Sequence, residues 1–304
     1  MEEVDFIWMN GKMVNWQDAK IHVLTHTLHY GTGVFEGIRC YSTKKGPAIF
    51  RLKDHIKRLM QSAHIMQMNS NFTADDYEKA CVEIVKQNKL KECYIRPLIY
   101  YGYGNMGLAV TDCTVDSVVA AWPWGSYLGE EGVKNGIRAK VSSFTRHHVN
   151  IMLSKSKTVG NYVNSTCAKM EALQGGYDEA IMLDPQGFVS ECSGENIFIV
   201  RDGVLITPPV TNALEGITRK AIIEIAVNEK IPVKEELFTR DQMYTADEVF
   251  LTGTAAELTP VREVDDRVIG NGKPGAITKK LQQKYFDALH GKISKYKKWL
   301  TYVK

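Results

Sequence analysis

Lys155-Ser156-Lys157-Thr158-Val159-Gly160-Asn161-Tyr162 is the stretch on which the reading of this sequence turns, together with Glu191-Cys192-Ser193-Gly194-Glu195-Asn196 further on. The first sets a lysine four residues ahead of an Asn-Tyr pair, and the second sets a lone acid at the end of a β-rich run. An ordinary lysine amine is protonated near neutral pH and is a poor nucleophile. Burial beside cationic or apolar groups lowers its pKa and frees the lone pair. With 38 lysines and arginines in the chain, a surface role is the simplest reading of any one of them. Asn161-Tyr162 singles out Lys157, and the same spacing argues against Lys155.

Working outward, a strand at 137–141 precedes the lysine loop, and a helix over 165–173 follows it and stops at Gly175-Gly176. Strands are then expected at 179–183 and 188–190, with a hairpin of 196–200 and 204–207 across Asp202-Gly203. Helices over 217–228 and 276–289 and a strand at 248–251 complete this half. In the other half, Asn10-Gly11 predicts a hairpin of 6–9 with 12–14. Ile56, Leu59, Met60, Ala63 and Met66 recur at helical spacing after a strand at 48–52. Thr73 with Asp76 three residues on predicts a capped helix start, followed by strands at 93–101 and 117–122. The Gly-rich, charged segment 125–136 marks a boundary, giving a domain over 1–125, a linker over 126–136 and a domain over 137–304. The class is α+β, with mostly antiparallel or mixed sheets.

Bulk properties agree with a globular protein of 304 residues in two domains, 44% apolar and 24% charged. A net charge of +3 is too mild for a nucleic-acid partner, and the one basic cluster, Lys295-Tyr296-Lys297-Lys298, reads as a solvated tail. The six cysteines lack any metal-type spacing and read as buried small side chains in a reducing compartment. The opening residues do not form a signal peptide and no apolar run is long enough for a membrane helix, so a soluble protein without membrane partners is expected. No metal site is expected either.

Several segments offer anion contacts. Gly216-Ile217-Thr218-Arg219 enters an amphipathic helix through glycine, which would expose free amides and a hydroxyl. Gly253-Thr254-Ala255-Ala256 is a second small turn with unencumbered amides, and Arg58 can serve as a bidentate phosphate clamp. Alone, each reads as ordinary capping, a plain turn and a solvated helix face. In Tyr94-Ile95-Arg96-Pro97, alternation puts Tyr94 and Arg96 on one face of an apolar strand. An arginine there needs a carboxylate, from a ligand or from one of the 35 acids of the chain. The run 28–39, with Gly31, Gly33 and Gly37 among aromatics, implies close backbone approach. A lysine, a phenol, a lone acid and an anion cradle together fit pyridoxal phosphate, whose chemistry needs a protonated ring nitrogen opposite an acid.

From Phe6 to Leu289 the chain resembles the branched-chain amino acid aminotransferases, through HYGTGVFEGIR, YIRPL, KTVGNY, SECSGENIF, GITR and GTAAELTPV. The resemblance implies the two-domain fold-type IV architecture, with a small α/β N-terminal domain and a larger mixed-sheet, barrel-like C-terminal one. It implies pyridoxal 5'-phosphate held by Lys157 as a Schiff base, with Tyr162 on the ring oxygen and Glu191 on the ring nitrogen. Arg58, the Ile217 backbone, Thr218 and Thr254 would contact the phosphate. Phe35, Gly37, Tyr94, Tyr127 and Ala255 would line the substrate pocket, with Tyr30 and Leu108 lent by a second subunit of a homodimer. The amides of Thr254 and Ala255 and the Tyr94 hydroxyl would take the α-carboxylate, and Arg96 the distal carboxylate of glutamate.

The implied reaction is ping-pong transamination of L-leucine, L-isoleucine and L-valine with 2-oxoglutarate, in the cytoplasm. Two other readings stay open. A D-amino acid aminotransferase or aminodeoxychorismate lyase would share the lysine and the glutamate, and a catalytically silent scaffold would share the fold alone.

Overall fold

Asn10 and Gly11 take positive φ, 47° and 86°, and fold Phe6–Met9 (β1) back on Lys12–Asn15 (β2), the tight turn that Asn-Gly favours. The structure, a computed structural model, describes residues 2–125 and 127–304. Two compact units are present. The first takes the described residues up to Gly125, then Ser156–Asn161 and Ala288–Lys304. The second runs up to Lys155 and from Tyr162 to Asp287. The expected linker opens at Ser126, which lies outside the described residues. Its remainder belongs to the second unit and is helical over Gly129–Asn135. Residues 156–161 and 288–304, expected in the C-terminal domain, belong to the first unit.

In the first unit, β1 and β2 join Gly33–Phe35 (β3), Ile38–Thr43 (β4), Gly46–Phe50 (β5), Cys93–Tyr101 (β6) and Val115–Trp122 (β7). With Leu300–Tyr302 they make an eight-stranded antiparallel sheet, ordered Leu300–Tyr302, β5, β4, β6, β7, β1, β2, with β3 also on β6. β3 and β4 both pair with β6, opposite Leu98–Tyr100 and Cys93–Ile95 respectively, so Glu36-Gly37 forms a break between two strands in tandem. Cys93, Ile95, Ile99 and Tyr101 of β6 enter the core with Ile56 and Leu59 of Leu52–Ile65 and Tyr77 and Ile84 of Ala74–Gln87. These two helices are α2 and α3; α1 is the short His26–Tyr30. Side chains alternate across a strand, so Tyr94 and Arg96 stand on the face of β6 away from α2 and α3. The α3 start is the expected capping box, with Thr73 N–H donating to Asp76 Oδ2 at 2.8 Å.

The second unit carries helix α4 (Gly129–Asn135), β8 (Ile137–Val141), α5 (Tyr162–Gln174), β9 (Glu179–Leu183) and β10 (Val189–Cys192). There follow β11 (Asn196–Arg201), β12 (Val204–Thr207), α6 (Ile217–Asn228), β13 (Val233–Glu235) and α7 (Arg240–Tyr244). β14 (Glu248–Gly253), β15 (Glu257–Val264), β16 (Arg267–Val268) and α8 (Ala276–Leu289, counted here up to Asp287) complete it. Its nine-stranded sheet runs β10-β9-β8-β15-β14-β11-β12-β13, with β16 on β15. The β8/β9, β8/β15 and β12/β13 pairs are parallel and the others antiparallel, so the sheet is mixed. Ile197, Phe198, Ile199 and Val200 are all buried, as a strand covered on both faces must be, and Phe198 stacks on Phe250 at 5.0 Å.

The basic cluster at 295–298 is not a loose solvated tail. Its lysines face water, but Tyr296 and Trp299 are buried and stacked at 4.2 Å, and Arg51 lies over the Trp299 ring at 5.1 Å. Aromatic burial three residues apart outweighs the exposed charges between them. Among the described residues no helix is long and apolar enough to cross a membrane.

Segment 156–161 is fastened to the first unit by backbone. Phe35 N–H donates to Lys157 O at 3.0 Å, Val34 bridges Thr158, and Gly160 N–H donates to Gly31 O at 3.0 Å. Gly31 has φ of 66°, and a Cβ there would sit 2.7 Å from Gly160 Cα. Only glycine meets both demands. Gly31→Ala should therefore lower stability by on the order of 2 kcal/mol, read as a fall in Tm by thermal denaturation; an unchanged Tm would show that this backbone contact is dispensable.

Candidate active site

In the first unit, Lys157 Nζ lies 4.8 Å from the centre of the Phe35 ring, and its backbone N–H donates to Ser62 Oγ of α2 at 3.0 Å. The neighbouring Lys155 belongs to the second unit, where its amine donates to the carbonyls of Val210 and Ala213, and burial lowers its pKa. Lys155 thus anchors a loop. The two lysines, alike in local sequence, are separated by where their amines are spent.

Arg96 sits among aromatic rings. Its guanidinium carbon is 4.7 Å from the Phe35 centroid, 5.2 Å from Tyr94 and 5.9 Å from Trp122. One Nη donates to the Tyr94 hydroxyl at 3.3 Å, while Nε is buried with no hydrogen-bond partner. Among the described residues no carboxylate pairs with it, so the structural ion pair that the sequence left open is absent. A half-buried, aromatic-lined guanidinium with an unspent N–H has the chemistry to donate to a carboxylate. Gly37 adjoins it. A Cβ at Gly37 would collide with the Tyr94 hydroxyl at 1.8 Å, so the small residue makes room for that phenol.

Glu36, in the break between β3 and β4, is fully buried. It accepts from Arg58 Nε at 2.6 Å, Arg58 Nη2 at 2.8 Å and His55 Nδ1 at 2.7 Å. Burial pushes its carboxyl up, but Arg58 and His55 outweigh that and hold it well below the usual carboxylate range. An ionised Glu36 has no proton to give, so His55 Nδ1 carries one. Nearby on this unit, Tyr30 donates to Met106 O at 2.8 Å, and His26 bridges Thr32 Oγ1 and Gly107 O. These bonds hold the loop on which Leu108 is 85% exposed.

In the second unit, Glu191 on β10 follows an irregularity in the pairing with β9. Its Oε1 lies 3.0 Å from Arg146 Nε, and its Oε2 accepts from Leu214 N–H at 3.3 Å. Arg146 also reaches Ser165 Oγ at 2.8 Å and the carbonyls of Cys192 and Ser193, so one guanidinium orients the whole Glu191–Ser193 run. Helix α6 starts at Gly216 with no side-chain cap, and Ile217 and Thr218 of its first turn are buried. Amides at a helix start have no partner within the helix, which suits a phosphate monoester. Asn196 closes over this start, where a Cβ at Gly216 would meet Asn196 Oδ1 at 1.8 Å. Arg219 faces the other way, onto Thr207, Pro208 O and Glu235. Thr254 and Ala255 lie in the three-residue turn joining β14 to β15, where Gly253 pairs with Glu257. Tyr162 opens α5, and Lys169 Nζ stands 5.2 Å from the centre of the Tyr127 ring.

Residues 33–264 match the family described as Amino-transferase class IV. The chain belongs to this family. Among class IV relatives, the branched-chain-amino-acid aminotransferase of Pseudomonas aeruginosa is 52% identical over 298 residues, 98% of this chain and 97% of its own length. The crystal structure of a T.th. branched-chain amino acid aminotransferase with pyridoxamine 5'-phosphate superposes with a TM-score of 0.97 at 49% identity, covering 100% of both chains. That of the same T.th. enzyme complexed with N-(5'-phosphopyridoxyl)-L-glutamate gives 0.96 at 48% identity, again over 100% of both chains.

Within the class IV fold of this chain, the expected Tyr94, Arg96, Phe35 and Gly37 are brought together around one guanidinium. Glu36, His55 and Arg146 were not singled out in the sequence. Glu36 had a signal, an acid between an aromatic and a glycine in an otherwise apolar run; Arg146, in a polar loop, had none. Near Tyr127, Lys169 also pairs with Glu179 at 2.6 Å. Glu195 lies buried close by, its carboxyl pushed up to about 8 by burial first and by the Glu179 charge second. A raised folded pKa means that the folded state binds the proton more tightly than the unfolded one. Its contribution to stability is full below the ordinary carboxylate value and is lost as pH rises through about 8. Wild-type Tm should fall over that window, and Glu195→Gln should flatten the fall; equal slopes in the two Tm-against-pH profiles would refute the assignment.

Proposed function

We propose that this chain is a pyridoxal phosphate-dependent branched-chain amino acid aminotransferase, exchanging amino groups between L-leucine, L-isoleucine or L-valine and 2-oxoglutarate. The observation that carries the substrate reading is Arg96, a guanidinium in an aromatic box without an acidic partner among the described residues. The same pocket must hold an alkyl chain in one half-reaction and a γ-carboxylate in the other. Rings serve the first, and the unspent Nε of Arg96 serves the second. The glutamate adduct of the T.th. relative supports this reading.

The chain's residues fit the cofactor by chemistry. Lys157 has the amine for the aldehyde, the uncapped start of α6 with Thr218, and Thr254 and Arg58, provide phosphate donors, and Tyr162 has the phenol for the ring oxygen. When bound, pyridoxal phosphate supplies an aldehyde for the substrate amine and a ring that accepts the electron pair left when the α-proton departs. Glu191 would hold the proton on the ring nitrogen. Arg146 Nε, 3.0 Å from Glu191 Oε1, orients that carboxylate. Lys157 Nζ would be the base that moves the proton of the substrate Cα. The Thr254 and Ala255 amides and the Tyr94 hydroxyl orient the α-carboxylate. Tyr127, and Tyr30 and Leu108 from a second copy, belong to the substrate pocket in this reading, which therefore includes a homodimer. A cytoplasmic location goes with it.

The purified protein should absorb in the visible with pyridoxal phosphate bound, and Lys157→Ala should lose both borohydride labelling and turnover. Full turnover in that variant would end the proposal. Activity on D-alanine but not on L-leucine would select the D-amino acid reading, and a colourless, inert protein the scaffold. Arg96→Met should separate the half-reactions, raising KM for glutamate and 2-oxoglutarate by roughly ten-fold or more while changing KM for leucine by less than about three-fold. A parallel loss for both substrates would remove Arg96 from the role of carboxylate receptor.

A further inference from the structure

Resting on the cofactor reading above, we infer that Glu36 is a positioning residue for the phosphate: it presets the arginine that would clamp it. Arg58 stands on α2 and Glu36 in the strand break between β3 and β4, and the two meet as a fork, Nε to Oε1 at 2.6 Å and Nη2 to Oε2 at 2.8 Å. Two parallel bonds fix the guanidinium plane, where a single bond would leave it free to swing. His55 Nδ1 occupies Oε2 from the same helix, so both carboxylate oxygens are engaged and the carboxylate itself cannot turn. The glutamate is fully buried and the arginine side chain is only 11% exposed, so water competes little for these bonds.

The consequence is chemical. A fully paired Arg58 brings no net charge to a phosphate, because Glu36 cancels it. What it brings is a guanidinium plane of fixed direction. Burying an ion pair costs desolvation and adds little to stability by itself, so a buried fork beside Phe35 and Gly37 is better explained by orientation than by stability. Glu36 also has its backbone N–H tied to Pro97 O at 2.9 Å, which anchors the fork to β6, the strand that carries Tyr94 and Arg96.

The test compares pyridoxal phosphate with pyridoxal, which lacks the phosphate, on folded protein by equilibrium titration of absorbance. Glu36→Gln should weaken pyridoxal phosphate binding by roughly ten-fold or more and pyridoxal binding by less than about two-fold. Because the effect passes through the arginine, Glu36→Gln added to Arg58→Met should cost nothing beyond Arg58→Met alone. Equal losses for the two aldehydes, or additive losses in the double variant, would overturn the inference in favour of a purely structural ion pair. Should Glu36→Gln not fold, the comparison of Arg58→Met with the double variant decides alone, since there both charges are removed together. A wild-type protein that takes up neither aldehyde would sink the cofactor reading and this inference with it. A wild-type protein and Glu36→Gln that bind pyridoxal phosphate equally would sink only the inference.

Discussion

The backbone contact between Gly31 and Gly160 is the constraint on which the candidate site of the first unit depends. Six residues, Ser156–Asn161, leave the second unit in sequence and lie against β3, held by the Gly160-to-Gly31 bond, the Val34–Thr158 bridge and the Phe35-to-Lys157 bond. Hydrogen bonds to backbone set the height of Lys157 along β3, and Ser62 Oγ fixes its N–H from α2. The place of Lys157 is thus set by main chain, which has fewer freedoms than a lysine side chain. Any side chain at position 31 would push the segment off its strand.

A second theme is the use of arginines as orienting groups. Arg146 spreads over Glu191, Ser165 and the carbonyls of Cys192 and Ser193, and Arg58 grips Glu36. Arg219 is spent on Thr207, Pro208 O and Glu235. Each has a carboxylate of its own within its unit. Arg96 has a phenol instead, and its Nε is left without a hydrogen-bond partner. A planar fork with five donors can be satisfied by the protein or held in reserve, and the distinction is visible only once the partners are located.

Much of the fold was legible because local rules agreed with the final structure. The Asn10-Gly11 turn, the Thr73/Asp76 capping box, the helix Ile217–Asn228 and the helix Ala276–Leu289 were all read from spacing and turn chemistry, and all form. The failures share a cause. The helix at Gly129–Asn135 hides in a glycine-rich segment of low helical propensity, and burial of Tyr296 and Trp299 overrides a lysine-rich surface pattern. Segment 156–161 crosses between units without any compositional mark, because backbone hydrogen bonds to a distant strand leave no local trace.

Of the candidate site, the sequence by itself offered the residue types and their order: a lysine before Asn-Tyr, a lone Glu191, an Arg96 on the Tyr94 face, glycines where backbones must touch. Those were read from strand alternation, from side-chain chemistry and from the resemblance to a family. Only the tertiary structure decided which groups are already spoken for. Glu36 and His55 became partners of Arg58, Arg146 of Glu191, and Lys155 of two carbonyls, while Arg96 was left without an acid among the described residues. The physical reason is that pairing depends on approach between residues tens of positions apart, and that distance is set by packing, not by spacing along the chain.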